Sequence, residues 1–236
     1  MKIANYTLVY NQPSLIIAET CSNIIRYTKS LPIFIETVAK SGAGACKIQL
    51  FSHRHFPEPE WESKRRVEFP RNLLPEFISL CHQHNLLAGA SVFDNEAVDL
   101  LEKHGADFIK LATRETDNTL LWQRCLTSPL PKIASFDCTA TDALPFANHT
   151  VHLACIPKYP TPKPTVPNYG KSLWGWSSHY IRGDRCLDIL MAATRGACVI
   201  ERHFALSETD LEAGWSSDPK EFREMVKDVR KVESMR

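Results

Sequence analysis

The chain has 236 residues, of which 44% are hydrophobic, so it can bury one sizeable core. Lys and Arg number 28 against 27 for Asp and Glu, and at this net charge of +1 no overall field attracts nucleic acid or an anionic membrane. Eight cysteines without a CxxC pair indicate reduced thiols, so we expect a cytoplasmic protein. From the length we expect a single domain, residues 1–236. The sequence shows neither an export signal nor an apolar stretch long enough for a membrane span.

Short apolar runs with the character of β-strands recur along the chain. Stretches between most of them, such as IFIETVAKSGA and LLPEFISLCHQHN, place apolar residues three and four positions apart, as amphipathic helices do. Three of these stretches end in SGAGA, KHGA or TRGA, where a glycine follows the last helical turn. We predict a strand in each of the runs LIIAE (15–19), ACKIQLF (45–51), LLAGASVF (86–93), FIKLA (108–112), PKIASF (131–136), TVHLACI (150–156), SLWGWSS (172–178) and CVIERHF (198–204).

Eight strands that alternate with helices are typical of an α/β fold of the (β/α)8 TIM-barrel class. Two connections are weak helix formers. The stretch FDCTATDALPFANH after the fifth strand is short and broken by proline, and PKYPTPKPTVPNYGK after the sixth contains five prolines. We therefore expect reduced helices after strands 5 and 6. A doubly wound open sheet is the alternative, although no GxGxxG motif follows the first strand to support it.

Polar residues at the strand ends are the candidate functional residues. Side chains alternate along a strand between the barrel interior and the helix layer, so Glu201 and His203 share a face. Inward polar side chains at the carboxyl ends of barrel strands are where this fold carries its chemistry. We expect one mouth of the barrel to be lined by Glu19, Lys47, Gln49, Ser91, Lys110, Thr113, Ser135, Tyr159, His179 and His203.

Two histidines, His179 and His203, end neighbouring strands. A single strand histidine is more often a core or surface residue than a ligand. Two at adjacent strand ends, with Glu201 two residues before one of them, favour a divalent metal site.

Two lysines share the same predicted mouth. Lys47 alone could extend its stem along apolar surface, and Lys110 alone could pair with Glu115. Burying both ammonium groups without counter-charge is expensive, so a phosphorylated or carboxylated ligand is the interpretation that we favour.

These residues occur in a set of motifs that resembles the sialic acid synthase family. The motifs are IIAE, SGAGACKIQLF, GADFIKLA, YPTP, GWSSH and RGACVIERHF, the last followed by a helix that begins SDPKEF. The resemblance implies a (β/α)8 barrel that condenses phosphoenolpyruvate with an N-acetylated hexosamine or another sugar aldehyde. It also implies that His179 and His203 hold a divalent ion, usually Mn²⁺, with Mg²⁺ or another divalent ion as the alternative.

The resemblance implies roles for further residues. Glu19 acts with the two histidines in catalysis, orienting or deprotonating the attacking water, and lies on the acceptor side of the site. The acceptor sugar faces Gln49, Tyr159 and Glu212, the last standing where the family usually has Asp. The phosphate and carboxylate of phosphoenolpyruvate are surrounded by Lys47, Ser91, Lys110, Thr113, Ser135 and Ser177.

The chain departs from the family pattern at further places. It reads NIIR at 23–26 where the family usually has NHNG, and SFD at 135–137 in place of STG, which puts Asp137 near the expected phosphate pocket. A carboxylate there would oppose phosphate unless it points away or pairs with Lys158. The resemblance covers the barrel, and we expect the chain to lack the small C-terminal antifreeze-like domain of the family. We expect a homodimer or a separate protein to complete the acceptor site, with residues 157–171 as lid or docking surface, and N-acetylmannosamine to be a poor acceptor for this chain alone.

Two other functions stay open on the sequence. One is a metal-dependent aldolase or lyase on the same barrel that does not use phosphoenolpyruvate, which is favoured if Asp137 lies in the pocket. The other is a non-catalytic relative that binds a sugar or a partner protein, against which the intact histidines and lysines argue.

Overall fold

The computed structural model describes residues 1–10, 12–141, 149–183 and 185–236, and its centre is a closed barrel of eight parallel strands. Each barrel strand pairs with its neighbours in chain order, and the last pairs with the first, as Val199 opposite Leu15 shows. The strands are β1 (Lys2–Ile3) and β2 (Tyr6–Thr7), which form a hairpin, and the barrel strands β3 (Leu15–Glu19), β4 (Ala45–Leu50), β5 (Leu87–Val92), β6 (Phe108–Leu111), β7 (Lys132–Asp137), β8 (Thr150–Cys155), β9 (Trp174–Ser178) and β10 (Val199–His203).

Helices lie between most of the barrel strands and after the last one. They are α1 (Leu31–Lys40), α2 (Trp61–Arg65), α3 (Leu74–Gln83), α4 (Asn95–His104), α5 (Thr119–Thr127), α6 (Leu187–Thr194) and α7 (Pro219–Glu233). The prediction of a TIM barrel is therefore confirmed, and the open-sheet alternative is wrong. Within the described residues, no helix is long and apolar enough to cross a membrane.

The two connections predicted to have reduced helices follow β7 and β8. Residues 156–173, after β8, contain no helix, as the prolines predicted. After β7, residues 138–141 and 149 contain none either, while residues 142–148 lie outside the described part of the chain.

The core has two layers, as expected for a barrel wrapped in helices. The larger cluster fills the space between the strands and the helix layer, where Phe34, Phe77 and Trp176 are buried. The smaller cluster fills the barrel interior near the strand starts. There the β1–β2 hairpin, which the sequence did not predict, contributes Ile3, and Leu8 follows it directly. This segment closes the end of the barrel opposite to the carboxyl ends of the barrel strands.

Glycines end the helices as predicted. Gly105 caps α4 in the left-handed region at φ 74°, where its amide donates to the Glu102 carbonyl. A residue without Cβ adopts this conformation without strain, so the chain can turn directly into the next strand.

Candidate active site

A cavity of about 560 Å³ opens at the carboxyl ends of the barrel strands. It lies at the end of the barrel where this fold carries its functional side chains. The cavity is lined by most of the residues predicted for the site, from the strand ends or from the resemblance: Glu19, Gln49, Lys110, Thr113, Ser135, Tyr159, His179, His203 and Glu212. Lys47, Ser91 and Ser177 are not among the lining residues, because they are fully buried behind them.

The two lysines are held by carboxylates of the protein itself. Lys47 Nζ forms an ion pair with Glu19, lies 3.5 Å from Glu201 Oε2 and donates to Ser91 Oγ at 2.7 Å. Lys110 Nζ lies 3.7 Å from Glu201 Oε1. Protein carboxylates therefore supply counter-charge to both lysines, so their burial does not by itself require an anionic ligand.

The alternative partner suggested for Lys110 is wrong. Glu115 forms its ion pair with Arg114, at 3.4 Å between Nε and Oε1. Lys110 instead pairs with a strand residue across the barrel and keeps its place beside the cavity.

Burial and charge set the protonation of this network. Burial lowers the pKa of Lys47 to about 7, against the opposing effect of the Glu201 charge. Burial acts to raise the pKa of Glu201, but the charges of Lys110 and Lys47 outweigh it and lower the value to about 2. Glu201 is therefore an anion at neutral pH, and Lys47 can gain or lose a proton there.

Glu201 is a functional candidate to which the sequence analysis gave no role of its own. Its Oε1 atom accepts a hydrogen bond from Ser177 Oγ at 2.8 Å, and its carboxylate contacts both lysines. The available signal was the strand periodicity, because Glu201 shares the inward face of β10 with His203.

The hydroxyl of Ser135 differs from the other buried hydroxyls of the site. It is buried, its residue lines the cavity, and within the described part of the chain its Oγ has no hydrogen-bond partner. A buried hydroxyl without a partner costs stability unless a ligand or water satisfies it. Ser135 is therefore suited to bind a polar group in the cavity.

Asp137, two residues further along β7, does not oppose an anion in the cavity. Its Oδ1 accepts hydrogen bonds from the amide and hydroxyl of Thr139 at 2.8 and 2.7 Å. It is not among the residues that line the cavity, so the arrangement in which its carboxylate points away is the observed one.

The two histidines predicted as ligands lie side by side in the cavity wall, with ring centroids 5.4 Å apart. Nδ1 of His179 lies 2.9 Å from the Ile156 carbonyl oxygen, which can only accept, so Nε2 carries the free lone pair. Burial and the neighbouring His203 lower the pKa of His179 to about 3. The ring of Tyr159 packs against it at 4.1 Å. His179 is thus held as a neutral, oriented imidazole.

Glu212 orients the second histidine. Its Oε2 lies 2.8 Å from Nδ1 of His203. Burial opposes ionisation of Glu212, but the hydrogen bond and charge of His203 outweigh it, so the pKa of this carboxyl is lowered. An imidazole whose Nδ1 faces a carboxylate is the usual arrangement around a metal-binding histidine.

The residues NIIR, which replace the usual family motif, hold the segment that carries Glu212. Asn23 Oδ1 accepts from the Glu212 amide at 2.9 Å, and Asn23 Nδ2 donates to the Phe204 carbonyl at 2.9 Å. Arg26 donates to the Thr209 carbonyl at 2.7 Å. Asn23, which NIIR shares with the usual motif, and Arg26, which departs from it, therefore fix the segment that places Glu212 beside His203.

Cys21 is a second functional candidate that the sequence did not indicate, because there it is only one of eight reduced thiols. It follows Glu19 closely, and its Sγ lies 2.7 Å from Glu212 Oε1. Cys21, His203 and Glu212 each place one donor atom within 4.8 Å of the other two. With the neutral imidazole of His179 next to them, these donors fit a divalent transition-metal ion.

The rim of the cavity combines aromatic rings and cations. Lys64 Nζ lies 4.5 Å and the Arg114 guanidinium 4.4 Å from the centre of the Phe56 ring. Phe56 and Lys64 come from the long connection between β4 and α3, for which the sequence suggested no role.

Comparisons with known proteins agree with the motifs. Residues 34–236 match the model of the NeuB family. The chain is 23% identical over 99% of its length to the spore coat polysaccharide biosynthesis protein SpsE of Bacillus subtilis, of which it covers 71%. It is 25% identical over 94% of its length to the N-acetylneuraminate-9-phosphate synthase of Mus musculus, of which it covers 70%.

A solved structure shows the same fold. The crystal structure of an N-acetylneuraminic acid synthetase from Leptospira borgpetersenii aligns with a TM-score of 0.85 at 20% identity, covering 100% of this chain and 89% of that one. The resemblance seen in the motifs is confirmed by the family model, which spans most of the chain. The chain therefore belongs to the NeuB family, and its relatives include synthases of sialic acids.

Proposed function

We propose that this protein catalyses the metal-dependent condensation of phosphoenolpyruvate with a sugar aldehyde to give a sialic-acid-like 2-keto-3-deoxy sugar acid. The observation that carries the proposal is the composition of the cavity. Lys110 and the unpartnered hydroxyl of Ser135 lie in the same cavity as the two oriented imidazoles. One cavity thus offers an anion site and a place for a Lewis acid.

The reaction forms a bond between carbon 3 of phosphoenolpyruvate and the aldehyde carbon, whose oxygen takes a proton and becomes a hydroxyl. Water adds to carbon 2, where positive charge develops, and loses a proton. The bond between carbon 2 and the phosphate oxygen then breaks, inorganic phosphate leaves, and the remaining hydroxyl on carbon 2 loses its proton to give the ketone. Phosphoenolpyruvate, aldehyde and water thus give the keto acid and phosphate.

Residues of the anion site bind the enol phosphate in this proposal. Lys110 supplies a point charge, and Ser135 and Thr113 supply hydroxyl groups, all three from the cavity wall. Lys47, Ser91 and Ser177 act from behind, where they hold Glu19 and Glu201 in place.

The other wall of the cavity serves the aldehyde and the water. A divalent ion bound by His179 and His203 would supply Lewis-acid polarisation of the aldehyde oxygen. Glu19 is the group that orients or deprotonates water, because its carboxylate lines the cavity and is ion-paired with Lys47, which can gain or lose a proton near pH 7. Gln49 and Tyr159 face the acceptor.

The aldolase alternative loses its main support, because Asp137 is engaged by Thr139 and does not line the cavity. Eight unpaired cysteines favour a reducing compartment, and we place the activity in the cytoplasm.

The test is phosphate release from phosphoenolpyruvate, measured with Mn²⁺ across a panel of aldoses and N-acetylated hexosamines. Release that requires both an aldehyde and the ion supports the proposal. Isothermal titration should show that Lys110→Met weakens phosphoenolpyruvate binding by about 2 kcal/mol or more, as for a lost charge-assisted contact. Lys103→Met, on the exposed end of α4, is the matched control and should bind as the wild type does. Wild-type affinity in the Lys110 variant contradicts the proposed anion site.

A further inference from the structure

The thiol of Cys21 occupies a position that a cysteine reaches at a conformational cost. Its backbone lies in the left-handed region at φ 38°, which non-glycine residues rarely adopt. The thiol is buried, and this conformation directs it to Glu212, 191 positions further along the chain, at 2.7 Å from Oε1. The strain therefore accompanies one specific contact.

The carboxylate of Glu212 lies between two potential metal donors. Its Oε1 faces the Cys21 thiol, and its Oε2 faces Nδ1 of His203 at 2.8 Å. Sulfur, nitrogen and oxygen donors from these three residues lie within 4.8 Å of one another. One carboxylate thus holds the thiol and the imidazole near each other, and these two donors come from distant parts of the chain.

Ligand softness decides which ion such a set prefers. Carboxylate and water ligands suit Mn²⁺ and Mg²⁺, whereas a thiolate with imidazole suits Zn²⁺ and its spectroscopic substitute Co²⁺. Two imidazoles alone already favour Zn²⁺ and Co²⁺ over Mn²⁺, and a thiolate ligand widens that difference.

We propose that Cys21 is a direct ligand of the ion bound at His203, and that its thiolate strengthens the preference of the imidazoles for Zn²⁺ or Co²⁺ over Mn²⁺. On binding, the ion displaces the thiol proton, which passes to solvent, and a metal–sulfur bond forms. The inference concerns the ligand set and not the condensation. The ligand set is measured by spectroscopy and the condensation by phosphate release. Either of the two proposals can therefore fail while the other stands.

The test uses the metal-free full chain titrated with Co²⁺. We expect about one equivalent to produce a thiolate-to-cobalt charge-transfer band in the near ultraviolet, which an equal concentration of Zn²⁺ removes and Mn²⁺ does not. Cys21→Ser and Cys21→Gly should lose the band and bind Co²⁺ about 10-fold or more weakly, since even loss of an outer partner of a ligand has an effect of this size. Glycine suits the positive φ, so this variant should fold at least as well as the wild type.

The matched control is Cys138→Ala, which removes the one cysteine that is not buried and should leave the band unchanged. X-ray absorption of the cobalt-loaded wild type adds a reading that needs no variant, namely a sulfur neighbour at about 2.3 Å from the ion. A wild type without the band, a band that survives in both Cys21 variants, or a first shell without sulfur overturns the inference.

Discussion

The carboxylate of Glu201 and the ammonium of Lys47 lie 3.5 Å apart in the interior of the barrel, where neither side chain reaches solvent to more than 2% of its surface. A buried charge is tolerated when a group of opposite charge lies next to it, as Lys47 and Glu201 do here. The contact makes Glu201 structurally important as well as a candidate for function.

We predict that Glu201→Gln destabilises the protein by about 3–5 kcal/mol, because it removes the carboxylate that contacts both Lys110 and Lys47 in the interior. Urea denaturation gives the free energy of unfolding. Glu62→Gln is the control, since its ion pair with Arg66 is exposed and should contribute less than about 1 kcal/mol. Equal stability of the Glu201 variant and the wild type contradicts the prediction.

The stability should fall as the pH is lowered below neutrality. The pKa of His179 is lowered from 6.5 to about 3, so between these values the unfolded chain binds a proton that the folded chain does not. More protons on the unfolded state mean that acidification favours unfolding. Below pH 4.5 Glu201 acts in the same direction, because its folded pKa is about 2.

Urea midpoints measured at pH 7, 5.5 and 4.5 check this window for the wild type and for His179→Asn. The variant should lose less stability between pH 7 and 4.5 than the wild type does. His149→Asn, at an exposed position, should follow the wild-type profile. Parallel profiles for His179→Asn and the wild type would show that the folded protein does not suppress protonation of His179.

Removal of the Ser135 hydroxyl should have opposite effects on stability and on binding. Ser135→Ala removes a buried hydroxyl without a partner in the described chain, so we expect it to stabilise the ligand-free protein by about 1 kcal/mol. The same change should weaken phosphoenolpyruvate binding in a titration. Ser177→Ala, which removes a donor to Glu201, should instead destabilise by about 1–3 kcal/mol. A Ser135 variant that is less stable than the wild type argues against an unsatisfied hydroxyl.

Gly175 should not tolerate a side chain. A Cβ at this position would lie 2.3 Å from Leu153 Cδ2 and 2.5 Å from the Val199 carbonyl oxygen inside the barrel. Gly175→Ala should therefore destabilise by about 1–3 kcal/mol or more through overpacking, seen as a lower urea midpoint. At Gly214 a Cβ would meet nothing within 4 Å, so Gly214→Ala should change stability by less than about 0.5 kcal/mol. Similar midpoints for the two variants count against a tightly packed barrel interior.

Much of the candidate site could be predicted from local pattern. The period of two along a strand places Glu19, Lys110 and His203 on the inward face, and the closed barrel then brings them to one mouth, as observed. The same period could not separate Lys110, which lines the cavity, from Lys47, which is buried behind it. That difference depends on which carboxylates stand on neighbouring strands, and hence on the register of β3, β4 and β10.

The sequence by itself determined the eight barrel strands, most of the helices and the order in which they alternate, because these follow from apolar periodicity and from glycine and proline at the ends of elements. Only the tertiary structure decided the contacts between residues far apart in the chain. Cys21 meets Glu212 across 191 positions, and Asn23 holds the same segment through side-chain hydrogen bonds. Such contacts leave no periodic signal, because they arise from the closure of β10 onto β3, which brings the segments that follow these two strands to one side of the cavity.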